Sequence, residues 1–317
     1  MTTAQAAVRS TYRDAKRQRA IRQAGRAGRL APLIFLAPAG LALLAVSVFP
    51  VFDGLWLSLH NTLLSAQRSD FIGFANYGQL VGDDQFWSAW RHTLIFTATS
   101  TVAETLIGLA MALVLHETFA GRGMVRAAML VPWAIPTVVT SKMFGWLFDG
   151  QHGIVNWLLV QMHILSAPAN WYGSTETALW TIVMADVWKT APFMALLLLA
   201  GLQTVPNALI EASRMDGAGA LQTFFYIRLP LLLPTLMIAG MFRALDAFRI
   251  FDLVYVLTGG GPADSTEVLS TLTYKTLFSA LDFGYGSALS VAMFATEALI
   301  AFGFGLFIMR GMRRANG

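Results

Sequence analysis

Three apolar stretches of this chain carry polar or aromatic residues at helical spacing. Asp186, Lys189, Thr190 and Phe193 recur every three or four residues and therefore share one helix face. Trp133 and Thr137 stand one turn apart, and Arg243, Asp246 and Ile250 align, with Arg249 and Asp252 nearby. Polar groups in such surroundings are costly and face a cavity or a partner. The chemistry on offer is binding rather than bond breaking. No nucleophile lies beside a base, so no catalytic residue is assigned. The absence of cysteine excludes disulfides and thiolate chemistry, and His60, His92, His116, His152 and His163 show no metal-ligand spacing. No phosphate-binding loop occurs either; GGGPADST (259–266) lacks a lysine and is expected to be a turn-rich loop. Energy used by this protein is therefore expected to come from elsewhere.

The elements that must position these residues are membrane helices. Of 317 residues, 56% are hydrophobic and 13% charged. Six stretches, about 31–58, 92–116, 125–148, 176–203, 229–257 and 284–309, are long enough to cross a hydrocarbon core, which takes ~20 helical residues. An all-α membrane protein with six transmembrane helices follows. Pro132, Pro136 and Pro192 predict kinks beside the polar stripes, which would free backbone groups to line a cavity.

Charge sets the expected orientation. Arg9, Arg13, Lys16, Arg17, Arg19, Arg22, Arg26 and Arg29 precede the first stretch, and Arg310, Arg313 and Arg314 follow the last. By the positive-inside rule both termini are cytoplasmic. The arm (1–30) reads as a topology signal that touches anionic lipid, not as a nucleic-acid site or a cleaved signal peptide. Residues 31–310 then form the membrane domain and 311–317 a cytoplasmic tail. Loops near 59–91, 149–175 and 258–283 fall outside with Asp70, Asp83, Asp84, Asp149, Asp264, Glu267 and Asp282.

One inner segment, EASRMDGAGALQTFFYIRLPLLLP (211–234), is not generic membrane sequence. Gly217 and Gly219 permit a sharp reversal, Asp216 can cap the following helix, and Pro230 suits a first helical turn. Two short helices meeting at an elbow are expected, within a loop of about 204–228.

This segment resembles the cytoplasmic EAA loop of membrane subunits in bacterial binding-protein-dependent ABC importers. FIGFANYGQL (71–80), LVPWAIPTVV (130–139), DVWKTAPFMALLLLAGLQTVP (186–206) and FDLVYVLTGGGP (251–262) are similar, in order, to segments of the maltose-type branch, which imports carbohydrates. LLLLAGL (196–202) and FRALDAFRIFD (242–252) look most like trehalose-type importers. The resemblance covers nearly the whole chain after residue 30.

It implies a multi-pass subunit of the bacterial inner membrane. Glu211, Ala212, Ser213, Asp216, Gly217 and Ala218 would form a coupling helix docked on an ATPase; Ser213 stands where the family usually has alanine. Its partners would be a second permease, two ATPase subunits and an extracytoplasmic sugar-binding protein, with ATP and Mg bound by the ATPases and no cofactor by this chain. The matching substrate positions are Trp133, Thr137, Asp186, Lys189, Thr190 and Phe193, with Arg243, Asp246, Ala247 and Ile250 as candidates. An aromatic face would cover the C–H side of a pyranose while polar groups bond its rim. Against this, Asp186 and Lys189 could simply form an i,i+3 ion pair, and Trp133 could be packing. Glu104, Lys142 and Glu297 leave open an ion-coupled secondary transporter; the plainer expectation pairs Glu104 or Glu297 with Lys142.

Overall fold

A computed structural model describes residues 35–63 and 68–315; the basic arm lies outside them. The chain divides into two units, Met1–Trp56 and Leu57–Gly317. The first unit carries all but the end of α1 (Phe35–Ser58), 24 residues with a mean hydropathy of 2.2. The elements after α1 belong to the second.

After α1 the chain forms a short antiparallel hairpin, β1 (His60–Leu63) and β2 (Arg68–Phe71), with His60 opposite Phe71 and Thr62 opposite Ser69. This small sheet was not expected from sequence, where 59–91 read simply as loop. Next come α2 (Ala75–Val81), α3 (Asp84–His116), α4 (Arg122–Ala134), α5 (Thr137–Leu147), α6 (Ile154–Gln161) and α7 (Ala178–Leu202). They are followed by α8 (Asn207–Met215), α9 (Ala220–Phe248), α10 (Asp252–Leu257), α11 (Leu269–Tyr274) and α12 (Phe283–Ala315).

Helices α1, α3, α7, α9 and α12 are each long and apolar enough to cross a membrane, five in all; α4 and α5 bring the number to six if counted as one span. The kink expected at Pro136 within the span at 125–148 is a full break, because α4 and α5 are bent by 90° at Ile135–Pro136. Proline disfavours the helical region for the residue before it, and Ile135 is extended, with φ −72° and ψ 132°. With 13 and 11 residues, neither half spans ~30 Å alone. α7, by contrast, continues through Pro192.

Two boundaries also move. α3 begins at Asp84, where Asp83 caps it by accepting from the Gln85 amide at 2.9 Å. The fifth span is displaced towards the N-terminus: it starts at Ala220 and stops at Phe248, with Arg249–Phe251 breaking from α10. The Ile250 carbonyl freed there accepts from Ser270 Oγ.

The helices nearest the site pack tightly. α3 lies along α7, with Gly108 so close that a Cβ there would sit 2.8 Å from Met194 Cγ. Gly201 of α7 likewise meets Leu232 and Thr235 of α9. Ala112, Leu115, Met194, Leu198, Leu202 and Leu232 fill the space between these three helices. The small-residue run near Gly303 and Gly305 has no comparable neighbour within 4 Å.

Candidate functional site

Arg243, on α9, is the centre of a buried charge cluster. Its side chain is 4% exposed and is held by the carboxylates of Glu104 from α3, Asp186 from α7 and Asp246 one turn on along α9. Arg243 Nη2 donates to Glu104 Oε1 at 2.9 Å and Nη1 to Asp246 Oδ2 at 3.1 Å. Glu104 is fully buried, and Thr190 Oγ1 lies 2.6 Å from its Oε1 and 2.6 Å from the Asp186 carbonyl. Charges can persist in such a place only when their hydrogen-bonding capacity is met, and here three helices supply it together.

Lys189 does something different. Its Nζ donates to the carbonyls of Ile135 at 3.0 Å and Trp133 at 3.3 Å, the groups that the break between α4 and α5 leaves without a helical partner. Lys189 therefore fastens α7 to the bent pair. The simple i,i+3 ion pair between Asp186 and Lys189 is not what forms, since Asp186 turns to Arg243. Nor are Glu104 and Glu297 paired with Lys142: Glu104 holds Arg243, and Glu297 lies 3.3 Å from Arg249.

Beside this cluster is a cavity of about 410 Å³ lined by Trp133, Thr137, Asp186, Lys189, Thr190, Arg243, Asp246, Arg249, Ile250, Phe251 and Asp252. Its size falls in the range of small-ligand sites. Trp133 and Thr137 reach it from opposite sides of the 135–136 break rather than from one continuous turn. Phe193 stacks on Trp133, with ring centroids 5.3 Å apart and planes 11° apart, so it backs the aromatic wall. Ala247 is fully buried in the core and stays off the lining.

Arg249, Phe251 and Asp252 join the lining although spacing alone did not assign them a role. A helix continued past Phe248 would scatter them around its circumference. The available signal was FRIFD itself, charges and aromatics too dense for an uninterrupted span.

The second candidate region is the elbow. α8 ends at Asp216 and Gly217, whose φ of +80° is the left-handed conformation that glycine adopts without strain. Asp216 closes α8 and does not cap the next helix; that cap is Gly219, whose amide donates to Gln222 Oε1 at 2.9 Å. Only the first of the two expected short helices is short. α9 runs on from Ala220 through a wider π-turn at Phe224–Arg228, just before Pro230. Ser213 is buried and its hydroxyl meets Thr223 Oγ1 at 3.1 Å, tying α8 to α9, while Glu211 and Ala212 are exposed. A shallow groove of about 360 Å³ lies beside Asp216, Gly217, Ala218 and Tyr226.

In the segment after α5, Asp149 accepts from the amides of His152 at 2.7 Å and Gln151 at 3.0 Å, and these bonds hold its carboxyl below the usual carboxylate range. The 258–266 segment is the turn-rich loop expected, closed by Thr258 and Thr266 hydroxyls 2.7 Å apart.

Residues 104–314 match the family described as binding-protein-dependent transport system inner membrane component. The chain is 40% identical over 261 residues to a trehalose/maltose transport system permease protein of Thermococcus litoralis, covering 82% of this chain and 88% of that one. It is 43% identical over 272 residues to a trehalose transport system permease of Mycobacterium tuberculosis, covering 86% of each. Among solved structures, a bacterial ABC transporter involved in import of the acidic polysaccharide alginate has a similar fold, with a TM-score of 0.78 at 20% identity over 92% of this chain and 99% of that chain. The protein is thus a multi-pass membrane protein, a member of the inner membrane component family of binding-protein-dependent transport systems.

Proposed function

We propose that this chain is one membrane subunit of an ATP-driven carbohydrate importer. The observation that carries this reading is the mid-bundle cavity, where an aromatic wall of Trp133 and Phe193 meets carboxylate, hydroxyl and ammonium groups from three helices. Such a surface suits a sugar, which has C–H faces to cover and a rim of hydroxyls to bond. The named relatives that carry trehalose or maltose support the same class, and a neutral di- or oligosaccharide fits a cavity of this volume. Trp133, Thr137, Asp186, Lys189, Thr190 and Ile250 are the proposed contacts, with Phe193 behind them.

The elbow is the proposed input for energy. Both termini and α8 lie on the cytoplasmic side in this reading, as the positive flanks require. Exposed Glu211 and Ala212 and the turn at Gly217 would dock on an ATPase subunit that binds ATP and Mg, a second permease would complete the pathway, and an extracytoplasmic sugar-binding protein would deliver the ligand. α9 connects the elbow to Arg243 without interruption, so movement of the partner can reach the cavity. An ion-coupled transporter using intramembrane carboxylates is disfavoured, because Glu104 and Glu297 are each engaged by an arginine.

The test is sugar uptake by cells or proteoliposomes containing the whole complex. Gly217→Arg forces a side chain into a left-handed position beside the groove and is expected to abolish uptake and ATPase co-purification while the chain still inserts. Ion-gradient-driven uptake by this chain alone would overturn the proposal. So would a cognate binding protein that binds amino acids or peptides in calorimetry rather than sugars.

A further inference from the structure

The cavity's charges are not balanced in their availability. Each of its three cations is already engaged: Arg243 by Glu104, Asp186 and Asp246, Lys189 by two backbone carbonyls, and Arg249 by Glu297. The acids are freer. Asp246 gives one oxygen to Arg243 yet keeps 69% of its side chain exposed, and Asp252 is exposed with no hydrogen-bond or ion-pair partner among the described residues. The lining itself carries three acids, Asp186, Asp246 and Asp252, against three cations, Lys189, Arg243 and Arg249; the excess of carboxylates comes from Glu297, which pairs with Arg249 from outside the lining.

We propose that the cavity selects uncharged, hydroxyl-rich ligands and excludes anionic sugars, with Asp246 and Asp252 as the residues that set this selectivity. The ligand class rests on the carbohydrate reading above; the electrostatic claim stands apart from it. Sugar hydroxyls donate to the open carboxylate oxygens, and hydrogen bonds to an ionised acceptor are the stronger kind. A uronate or sulfonate group at the same place meets like charge. Fold does not decide this point, since the similar solved importer handles an acidic polysaccharide.

The chain has no cysteine, so Ile250→Cys would place one reporter thiol in the cavity. In the assembled complex in nanodiscs, with partner subunits free of reactive thiols, this thiol is treated with cationic and anionic methanethiosulfonates of equal size. After correction for intrinsic reactivity, the cationic reagent is expected to react about tenfold faster. Asp246→Asn is expected to lower that ratio about tenfold, because one unit charge at ~6 Å in a watery cavity changes each rate about threefold in opposite directions. A ratio near one, or one favouring the anion, overturns the proposal. If the Ile250→Cys complex fails to assemble, Thr137→Cys reads the same cavity. Protection of the thiol is then measured with a neutral disaccharide and its uronate counterpart, without binding protein. Protection by the neutral sugar alone is expected, and equal protection by the uronate overturns the selectivity. If neither protects while the charge ratio stands, the carbohydrate reading fails and the ligand named here falls with it.

Discussion

Arg243 is surrounded by three carboxylates, and two of them, Glu104 and Asp186, are almost completely inaccessible. Breaking a buried ion pair by deleting one partner strands the other, at a cost of about 3–5 kcal/mol. Glu104→Ala is therefore expected to lower the thermal midpoint and the yield of the assembled complex sharply, and Glu104→Gln, which keeps an acceptor oxygen for Arg243 and Thr190, much less. Equal thermal stability of Glu104→Ala and the parent would show that the cluster is not holding the bundle. At this scale the sequence was informative about lining residues and silent about what stands behind them. Helical spacing brought Asp186, Lys189 and Thr190 to one face. No local pattern could pair Glu104 with Arg243, which lies 139 positions away, and the nearest guess, Lys142, was wrong.

Helix breaks explain where the expected elements went astray. Apolar length marked the segments that fold as five long apolar helices and one bent pair, but hydropathy does not distinguish a straight span from two half-helices bent by 90°. The kink at Pro136 was legible; its angle was not, because that depends on Lys189 arriving from α7 to take up the freed carbonyls. Lys189→Met keeps the length of the stem and removes the donors. The bond to the Ile135 carbonyl is part-buried and that to Trp133 is exposed, so the loss is expected to cost about 1 kcal/mol in stability and to increase hydrogen exchange around Ile135, even with no sugar present. Unchanged exchange there would leave Lys189 as a ligand contact only. In the elbow, Ser213 stands where the resemblance leads one to expect alanine, and its hydroxyl joins α8 to α9 through Thr223, a contact ten residues away that only the folded turn creates.

For the molecule as a whole, spacing between helices is set by glycines with identifiable neighbours. A Cβ at Gly108 would lie 2.8 Å from Met194 Cγ and 3.0 Å from the Ala195 amide nitrogen, so α3 and α7 would have to part. Gly108→Ala is expected to destabilise the bundle by about 1–3 kcal/mol, read as a lower thermal midpoint of the purified complex. A midpoint equal to that of the parent would mean the helices are less closely seated than described. Gly303 and Gly305 of α12 have no such neighbour among the described residues.

The unbroken course of α9 has a mechanical meaning. At 1.5 Å per residue, Arg243 stands about 35 Å along the axis from Ala220. A tilt of roughly 5° about the elbow end would sweep Arg243 through an arc of about 3 Å, on the scale of the hydrogen bonds that tether it to α3. In the proposed reading, a tilt of this size would strain the ion pairs of Arg243 with Glu104 and Asp186, whereas the pair with Asp246, on α9 itself, would travel with the helix.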